Sequence, residues 1–154
     1  MQNTHVKDVM ERDLTVVAPE DTLYEASKRM KDADCGCLPV GSRDNPVGVI
    51  TDRDIVTRAI ADGRDPAEER VRDFMSPVIR FCREEDTLAT AADKMHEHRV
   101  SRLVVLDESN KMCGILSFGK ILRTPADEDE VTEIVACATG RKDGGASTRP
   151  LAAY

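Results

Sequence analysis

Two stretches of the chain carry the apolar spacing of a helix with one buried face. In each stretch small or apolar residues recur at i, i+3, i+4 and i+7, which places them on one side of an α-helix. We predict N-caps for these helices at Asp21 and Asp86. The positions on the buried faces are Leu23, Ala26, Ser27 and Met30 in the first stretch, and Leu88, Ala91, Ala92 and Met95 in the second.

Short apolar runs around each helix predict β-strands, because polar turn residues separate them. One extended run precedes each helix, and two follow it. The order predicted for each half, once a closing helix is added, is β-α-β-β-α, an α+β arrangement. The runs are Leu14 to Val17, Leu38 to Val40 and Val47 to Ile50 in the first half, and Val78 to Phe81, Leu103 to Leu106 and Cys113 to Leu116 in the second.

The closing helices differ in predicted length. The first runs from about Asp52 to Ala61 and stops near Gly63, because glycine is favoured just beyond a helix end. The second is short, because Pro125 would block its continuation. A further helix is expected in Glu128 to Ala138. Residues 140–154 contain Gly, Ser, Thr and Pro with little apolar content, and we expect a mobile tail or an extension that docks on a partner.

The two halves repeat each other at a constant offset of 65 positions, and a one-residue slip then aligns Gly48 with Gly114. A constant offset through unlike residue types indicates two copies of one supersecondary unit, facing each other across a shared interface. We divide the chain into repeat 1 (residues 6–63), a linker (64–70), repeat 2 (71–123) and a C-terminal helix with its tail (124–154). The matching residues are Val6, Asp8, Met10, Leu23, Ala26, Met30, Leu38 and Val40, which recur as Val71, Asp73, Met75, Leu88, Ala91, Met95, Leu103 and Val105.

Composition and charge exclude several classes of function. The chain has 154 residues, enough for one compact domain or two small halves that share a core. A net charge of −7 and 3% aromatic residues argue against nucleic-acid binding. There is no signal segment and no apolar run of about 18 residues, so we expect a cytoplasmic protein without a membrane segment. The five cysteines are then small buried hydrophobes rather than disulfide partners.

Charge is distributed unevenly between the repeats. Residues 6–63 carry eight basic and twelve acidic side chains, whereas residues 71–123 carry nine basic and eight acidic ones. Repeat 2 can therefore offer cations to a ligand held between the repeats. Solvated surface charge is the simpler explanation for most of these residues.

A hydroxyl and a carboxylate follow the last strand of repeat 1. Thr51 stands at the exit of the strand, and Asp54 follows one helical turn later. Thr51 and the free N–H groups at the start of a helix can bind phosphate oxygens, and the Asp54 carboxylate can accept hydrogen bonds from two adjacent sugar hydroxyls. In the structural alternative Thr51 caps the helix and Asp54 complements its dipole. The sequence leaves both interpretations open.

Several motifs together resemble a known family. The motifs are Asp8-Val9-Met10, Glu20-Asp21-Thr22-Leu23, Leu38-Pro39-Val40, Gly48-Val49-Ile50-Thr51-Asp52-Arg53-Asp54-Ile55 and Arg102-Leu103-Val104-Val105. Together with the doubled β-α-β-β-α order they resemble a tandem pair of CBS (cystathionine β-synthase) domains, a Bateman module, over about Val6 to Arg123. Small stand-alone bacterial members of the hypoxic response protein type share a run like residues 51–56.

The resemblance implies that the repeats pack through their sheets with pseudo-two-fold symmetry and leave two related clefts that commonly bind adenine nucleotides. It also implies AMP or ATP as a regulatory ligand, no required cofactor, a homodimer formed through helices, and an effector protein that reads the signal. Ribose and phosphate would lie at the Thr and Asp positions, the base against the other repeat, and the phosphates at a basic residue. The implied nucleotide-binding residues are Val49, Thr51, Asp54, Ser76, Pro77, Val78, Ile79, Val100, Ser101 and Arg102.

The second cleft is expected to be defective. Lys120 stands where the ribose-binding carboxylate should be, and a lysine cannot accept hydrogen bonds. Gly36 and Cys37 replace Ser101 and Arg102, so the bidentate fork that a guanidinium offers to phosphate is missing. We therefore predict a second cleft that is empty, vestigial or used by a different ligand, and one competent nucleotide site around Thr51, Asp54 and Arg102.

The sequence favours a regulatory module over an enzyme, because no nucleophile lies beside a base and no glycine-rich phosphate loop opens a helix. Such a module signals through a change in conformation or partner affinity. Two alternatives remain: a scaffold protein without a ligand, and a redox or metal sensor. The sensor would use Cys35, Cys37, His96 and His98, but C-x-C and H-x-H lack the usual zinc spacing, and we predict no metal site.

Overall fold

The chain folds into two halves with the same order of elements, as expected for an α+β tandem repeat. The computed structural model describes residues 3–124 and 126–141. A last helix, α5 (Glu128–Thr139), follows the second half. The first half contains α1 (Leu23–Ala33), β1 (Cys37–Gly41), β2 (Pro46–Thr51) and α2 (Asp52–Asp54), and the second contains β3 (Phe81–Arg83), α3 (Leu88–His98), β4 (Arg102–Leu106), β5 (Met112–Ser117) and α4 (Phe118–Leu122).

Each of the two sheets contains a β-hairpin, and the two hairpins have the same register. Strand β1 pairs antiparallel with β2 and aligns Cys37 with Thr51, and β4 pairs antiparallel with β5 and aligns Arg102 with Ser117. Both hairpins shift register at the equivalent place, after Val40 and after Val105. The second sheet has an additional parallel strand, β3, beside β4. The repeat seen in the sequence is therefore a repeat of backbone pairing.

The first strand predicted for each half is shorter than expected. In place of a strand from Leu14 to Val17, the structure has one parallel bridge between Val17 and Val40. In the second half the strand begins at Phe81, the last residue of the predicted run, and continues to Arg83. Just before each predicted run the chain bridges to the other half of the molecule, at Glu11 with Ile115 and at Ser76 with Val49.

The predicted N-caps are wrong by one residue. The Thr22 hydroxyl caps α1 by accepting from Glu25 N–H at 3.1 Å, and Thr87 caps α3 in the same way. The Asp21 carboxylate instead accepts from Ala18 N–H at 2.9 Å, and Asp86 accepts from Arg83 N–H at 2.9 Å. Each aspartate closes the turn before the helix, so the following threonine becomes the cap.

The closing helices follow the predicted lengths with one difference. Helix α2 continues as a π-helix over Ile55–Ile60, and the chain then turns at Gly63, whose φ is +72°. Helix α4 is short and α5 lies where a further helix was predicted. Pro125 and the tail over residues 142–154 lie outside the described residues. No helix among the described residues has the length and apolarity to cross a bilayer.

The segment that begins each repeat packs into the hydrophobic core of the other repeat. The 3-10 turn at Val6–Asp8 places Val6, fully buried, in the core around α3, and the turn at Val71–Asp73 places Val71 in the core around α1. Backbone bonds are exchanged in the same reciprocal way, from Val6 N–H to Asp86 C=O at 2.8 Å and from Val71 N–H to Asp21 C=O at 2.9 Å. The pseudo-two-fold symmetry is therefore built by segment exchange.

The aligned glycines allow this exchange. Ser76 bridges to Val49 in β2, and in the reciprocal position Glu11 bridges to Ile115 in β5. A β-carbon at Gly48 would lie 2.6 Å from the Ser76 carbonyl oxygen, and one at Gly114 would lie 2.8 Å from that of Glu11. Such contacts are closer than packed atoms tolerate. Glycine is needed at both positions because the other repeat's backbone lies against them.

Helix α5 ties the chain's first described residues to repeat 2. Glu130, on the first turn of α5, is buried, and its carboxylate accepts from Thr4 N–H at 2.7 Å and from the Thr4 hydroxyl at 3.0 Å. The Thr4 carbonyl in turn accepts from Leu88 N–H. A buried carboxylate is tolerated here because charge-assisted hydrogen bonds replace water.

We predict that V71A lowers the free energy of unfolding by about 2 kcal/mol, because it removes two methyl groups from a fully buried position in the other repeat's core. Urea unfolding followed by circular dichroism measures this. V131A, at an exposed position of α5, is the matched control and should change stability by less than about 0.5 kcal/mol. Equal losses from both variants would contradict the exchanged packing.

Candidate functional site

A cleft of about 460 Å³, which we call cleft 1, lies between the two repeats. Its volume is in the range of about 300–1,000 Å³ typical of small-molecule sites. Repeat 1 contributes residues at the end of β2. Repeat 2 contributes residues of the segment that follows the 3-10 turn at Val71–Asp73, and of the loop before β4. Eight of the ten residues proposed from the sequence line it: Val49, Thr51, Asp54, Ser76, Val78, Val100, Ser101 and Arg102.

Pro77 and Ile79 are not among the residues that line cleft 1. The segment that contains them is extended, starting at Ser76 where it bridges to Val49. Successive side chains of an extended segment lie on opposite sides, so every second residue reaches the cleft. Ser76, Val78 and Arg80 line it. The bridge to Val49 sets the phase of this alternation and brings Arg80, which the sequence analysis did not include, to the cleft.

Thr51 and Asp54 bind each other at the start of α2. The Thr51 hydroxyl accepts from Asp54 N–H at 3.2 Å and donates to Asp54 Oδ2 at 2.9 Å, and the same Oδ2 accepts from Thr51 N–H at 3.0 Å. This is a capping box, as the structural alternative expected. All of these bonds use Oδ2. Among the described residues Oδ1 accepts none, so one carboxylate oxygen at the cleft can still accept from a ligand.

Four arginines line cleft 1, and sequence reasoning had assigned only one of them to the site. They are Arg53, Arg80, Arg99 and Arg102, and Asp54 is the one carboxylate among the lining residues that the structure describes. Arg99 follows α3 in a left-handed conformation, with φ +55°, and its N–H bonds to the His96 carbonyl. The cleft therefore has a strongly positive wall supplied mostly by repeat 2.

Arg102 lies between the two clefts and lines both of them, as do Cys37 and Ile115. A β-carbon at Gly36 would lie 3.1 Å from Arg102 Nη2 and 2.6 Å from Asp52 Oδ2, so both side chains reach Gly36. Burial raises the pKa of the Cys37 thiol to about 12, against the opposing effect of the Arg102 guanidinium. Cys37 is therefore a neutral thiol in the wall that separates the clefts.

The related cleft, cleft 2, is larger, at about 840 Å³, and carries different chemistry. The Ser117 hydroxyl caps α4 by accepting from Lys120 N–H at 3.1 Å, as Thr51 caps α2. Lys120 takes the place of Asp54, so this cap has no carboxylate beside it. Acidic side chains of cleft 2 are equivalent, in the alignment of the two repeats, to neutral or basic residues of cleft 1. Asp34, for example, aligns with Arg99. Cleft 2 also has cations that the sequence did not place there: Arg29, Arg102 and Arg123.

The cysteines and histidines considered as metal ligands do not form a cluster. Cys35 is exposed and Cys37 is buried, and both line cleft 2. His96 lies at the far end of α3, against Gly140 at the end of α5. Within residues 3–124 and 126–141 no three His, Cys, Asp or Glu side chains are arranged to hold one metal ion.

A family model of the CBS domain matches residues 6–60 and 71–127, and the chain therefore belongs to the CBS domain family. The resemblance drawn from the sequence motifs is confirmed. Helix α5 lies beyond the matched residues, so the contact between Glu130 and Thr4 is an addition to the two CBS repeats.

Relatives and solved structures share this architecture. Hypoxic response protein 1 of Mycobacterium tuberculosis is 31% identical over 121 residues, 78% of this chain and 84% of that protein. A crystal structure of Hypoxic Response Protein I with two coordinated zinc ions has a TM-score of 0.68 at 31% identity and covers 80% of this chain and 100% of that one.

Two further proteins extend the comparison. The CBSX2 protein in complex with AMP is 28% identical, with a TM-score of 0.63 over 78% of this chain and 94% of that one. An uncharacterized protein of Methanopyrus kandleri is 30% identical over 124 residues, which is 80% of this chain. This chain spans 63% of the length of that relative.

We predict that the five thiols differ sharply in reactivity. Cys35 is exposed, whereas burial raises the pKa of both Cys37 and Cys82 to about 12, so at pH 8 these two remain protonated. Alkylation by iodoacetamide, followed by peptide mass spectrometry, should be at least about 100-fold slower at Cys37 than at Cys35, because the thiolate is the reactive form. The rate at Cys37 should rise as the pH approaches 12.

C35S provides the control, because it removes the fast reaction and leaves the slow ones. Equal rates at Cys35 and Cys37 at pH 8 would contradict a buried neutral thiol, and would revive the redox-sensor alternative.

Proposed function

We propose that this chain is a non-catalytic regulatory module that binds an adenine nucleotide, AMP or ATP, in cleft 1. The observation that carries the proposal is the convergence of three groups on one cleft. Thr51 and Asp54 come from repeat 1, and Arg102 comes from repeat 2. These are an oxygen-binding pair and a cation, which are the groups that a sugar phosphate needs.

Each part of a nucleotide has a partner in cleft 1. Asp54 Oδ1 is free of protein hydrogen bonds among the described residues and can accept from ribose hydroxyls. The Arg102 guanidinium can donate two parallel hydrogen bonds to a phosphate. Apolar side chains, including Val49, Val78 and Val100, offer a surface for the base. The AMP complex of the similar CBSX2 protein supports a ligand of this class.

Ligand binding would act through the relation between the repeats. The two walls of cleft 1 come from different repeats, so a bound nucleotide contacts both repeats at once. The nucleotide stabilises the arrangement of the repeats that binds it more tightly. The size of this effect is set by the difference in its affinity for the two arrangements. An effector protein can then read that arrangement. The five free thiols suit a reducing compartment, and we assign the module to the cytoplasm.

We propose that cleft 2 does not bind the nucleotide in the same way. Lys120 replaces the ribose acceptor, and the equivalents of Ser101 and Arg102 are Gly36 and Cys37. Arg102 reaches this cleft from the shared wall, but it cannot supply the missing carboxylate.

We also propose a homodimer formed through the closing helices. Val56, Ile60 and Leu122 are exposed by 57%, 50% and 62% of their surface. Val56 and Leu122 hold equivalent positions in the two repeats. Apolar residues on equivalent surfaces suit a self-complementary interface, because a two-fold dimer buries the same patch on each subunit.

The ligand prediction compares three variants by calorimetry with AMP and adenosine. R102Q should weaken AMP at least about tenfold, because a charge-assisted bond to phosphate is lost, and should leave adenosine nearly unchanged. D54A should weaken both ligands, and loss of the bond from Thr51 N–H to the Asp54 carboxylate in the capping box should lower stability by about 1 kcal/mol. K120Q, the matched variant in cleft 2, should bind both ligands like the original protein.

Equal losses from R102Q and K120Q would contradict a single dominant site. No binding of AMP or ATP, with no rise in thermal stability at millimolar concentrations, would favour a scaffold without a ligand.

The dimer prediction uses a double variant. V56D with L122D should convert the protein to a monomer in light scattering, because it places charges in a desolvated interface. V131D, at an exposed position of α5, should leave the mass unchanged. A double variant with the original mass would contradict this interface.

A further inference from the structure

The arginines of cleft 1 exceed what a nucleoside monophosphate needs. The described lining carries four guanidinium groups and one carboxylate, a net charge of +3. One guanidinium can bind a phosphate group through two parallel hydrogen bonds. If Arg102 binds the single phosphate of AMP, Arg80 and Arg99 still line the same cleft. The excess of positive over negative charge in the lining attracts further negative charge.

Backbone pairing sets the positions of three of these arginines. The Arg80 carbonyl accepts from Val104 N–H in β4 at 3.0 Å. Arg99 occupies the left-handed cap of α3, and Arg102 is paired to Ser117 in the hairpin. All three belong to repeat 2, and their backbones are fixed relative to one sheet. The backbone positions from which the three arginine side chains extend are therefore set before a ligand binds.

Three of these guanidinium groups are not held in ion pairs. In the part of the chain that the structure describes, Arg80, Arg99 and Arg102 form no ion pair. Elsewhere arginines are paired, as Arg29 is with Asp21 at 3.4 Å and Arg64 with Glu69 at 3.4 Å. Without such pairs, Arg80, Arg99 and Arg102 can bind an anionic ligand without first breaking an ion pair.

The positive wall is specific to cleft 1. The residues of repeat 1 that align with Arg80, Arg99 and Arg102 are Thr15, Asp34 and Cys37. All three of these line cleft 2. The fold therefore does not require basic residues at these positions.

We propose that cleft 1 selects nucleoside di- and triphosphates over monophosphates, and that Arg80 and Arg99 determine this specificity by binding the phosphates beyond the first. This inference rests on the proposed function of cleft 1 and names the ligand class. A phosphate monoester carries a charge of about −1.5 to −2 at neutral pH, and each added phosphate contributes further charge. A triphosphate therefore matches the guanidinium groups of Arg80, Arg99 and Arg102 better than a monophosphate does.

The test measures affinities of AMP, ADP and ATP by calorimetry, in buffer with EDTA so that no metal ion bridges the phosphates. At about 50 mM salt ATP should bind at least about tenfold more tightly than AMP, with ADP between them, and the ratio should shrink at about 0.5 M salt because screening weakens the added contacts. R80Q with R99Q should weaken ATP more than about tenfold and AMP less than about threefold.

R72Q is the matched control, since Arg72 is exposed and lies outside both clefts. Thermal midpoints within a few degrees of the original protein would show that the variants fold. Equal affinities for AMP and ATP, or equal losses for both in the double variant, would overturn the specificity and leave the proposed nucleotide site intact. Absence of AMP binding to the original protein would overturn the proposed function itself.

Discussion

The reciprocal pairing of each leading segment with the other repeat's hairpin is the constraint on which this structure depends. Ser76 bridges to Val49 and Glu11 bridges to Ile115, across glycines that admit no β-carbon. Because these segments continue into the walls of the clefts, neither repeat can form a cleft alone. A ligand in either cleft would therefore contact both repeats at once.

The two clefts thus have equivalent backbone structures but different side-chain chemistry. The hairpins share their register, so Arg102 and Cys37 occupy the same place in their strands, and Thr51 and Ser117 cap the following helices alike. What differs is the side chains. Duplication fixes where side chains are placed, and substitution gives the two clefts different charges and hydrogen-bonding groups.

The pair Thr51 and Asp54 shows that a structural and a functional explanation need not exclude each other. The capping box satisfies the helix start through Oδ2, and the other carboxylate oxygen remains for a ligand. A ligand at cleft 1 would therefore meet a carboxylate whose orientation is already set by the helix cap.

Sequence alone identified the repeat, the element order and the cleft residues Thr51, Asp54 and Arg102, because these depend on local spacing and duplication. It misplaced the caps, because Asp21 and Thr22 are both good caps and only the turn geometry decides between them. It did not place Arg80 at cleft 1, because that position depends on an alternation that starts from a long-range bridge to Val49. Contacts distant in sequence account for these differences.

A crystal structure of this chain grown with AMP tests the central claim most directly, because the claim concerns which of two related clefts holds the ligand. The account predicts one nucleotide per chain, with its ribose beside Asp54 and its phosphate beside Arg102. Density for the nucleotide beside Ser117 and Lys120, with cleft 1 empty, would contradict it.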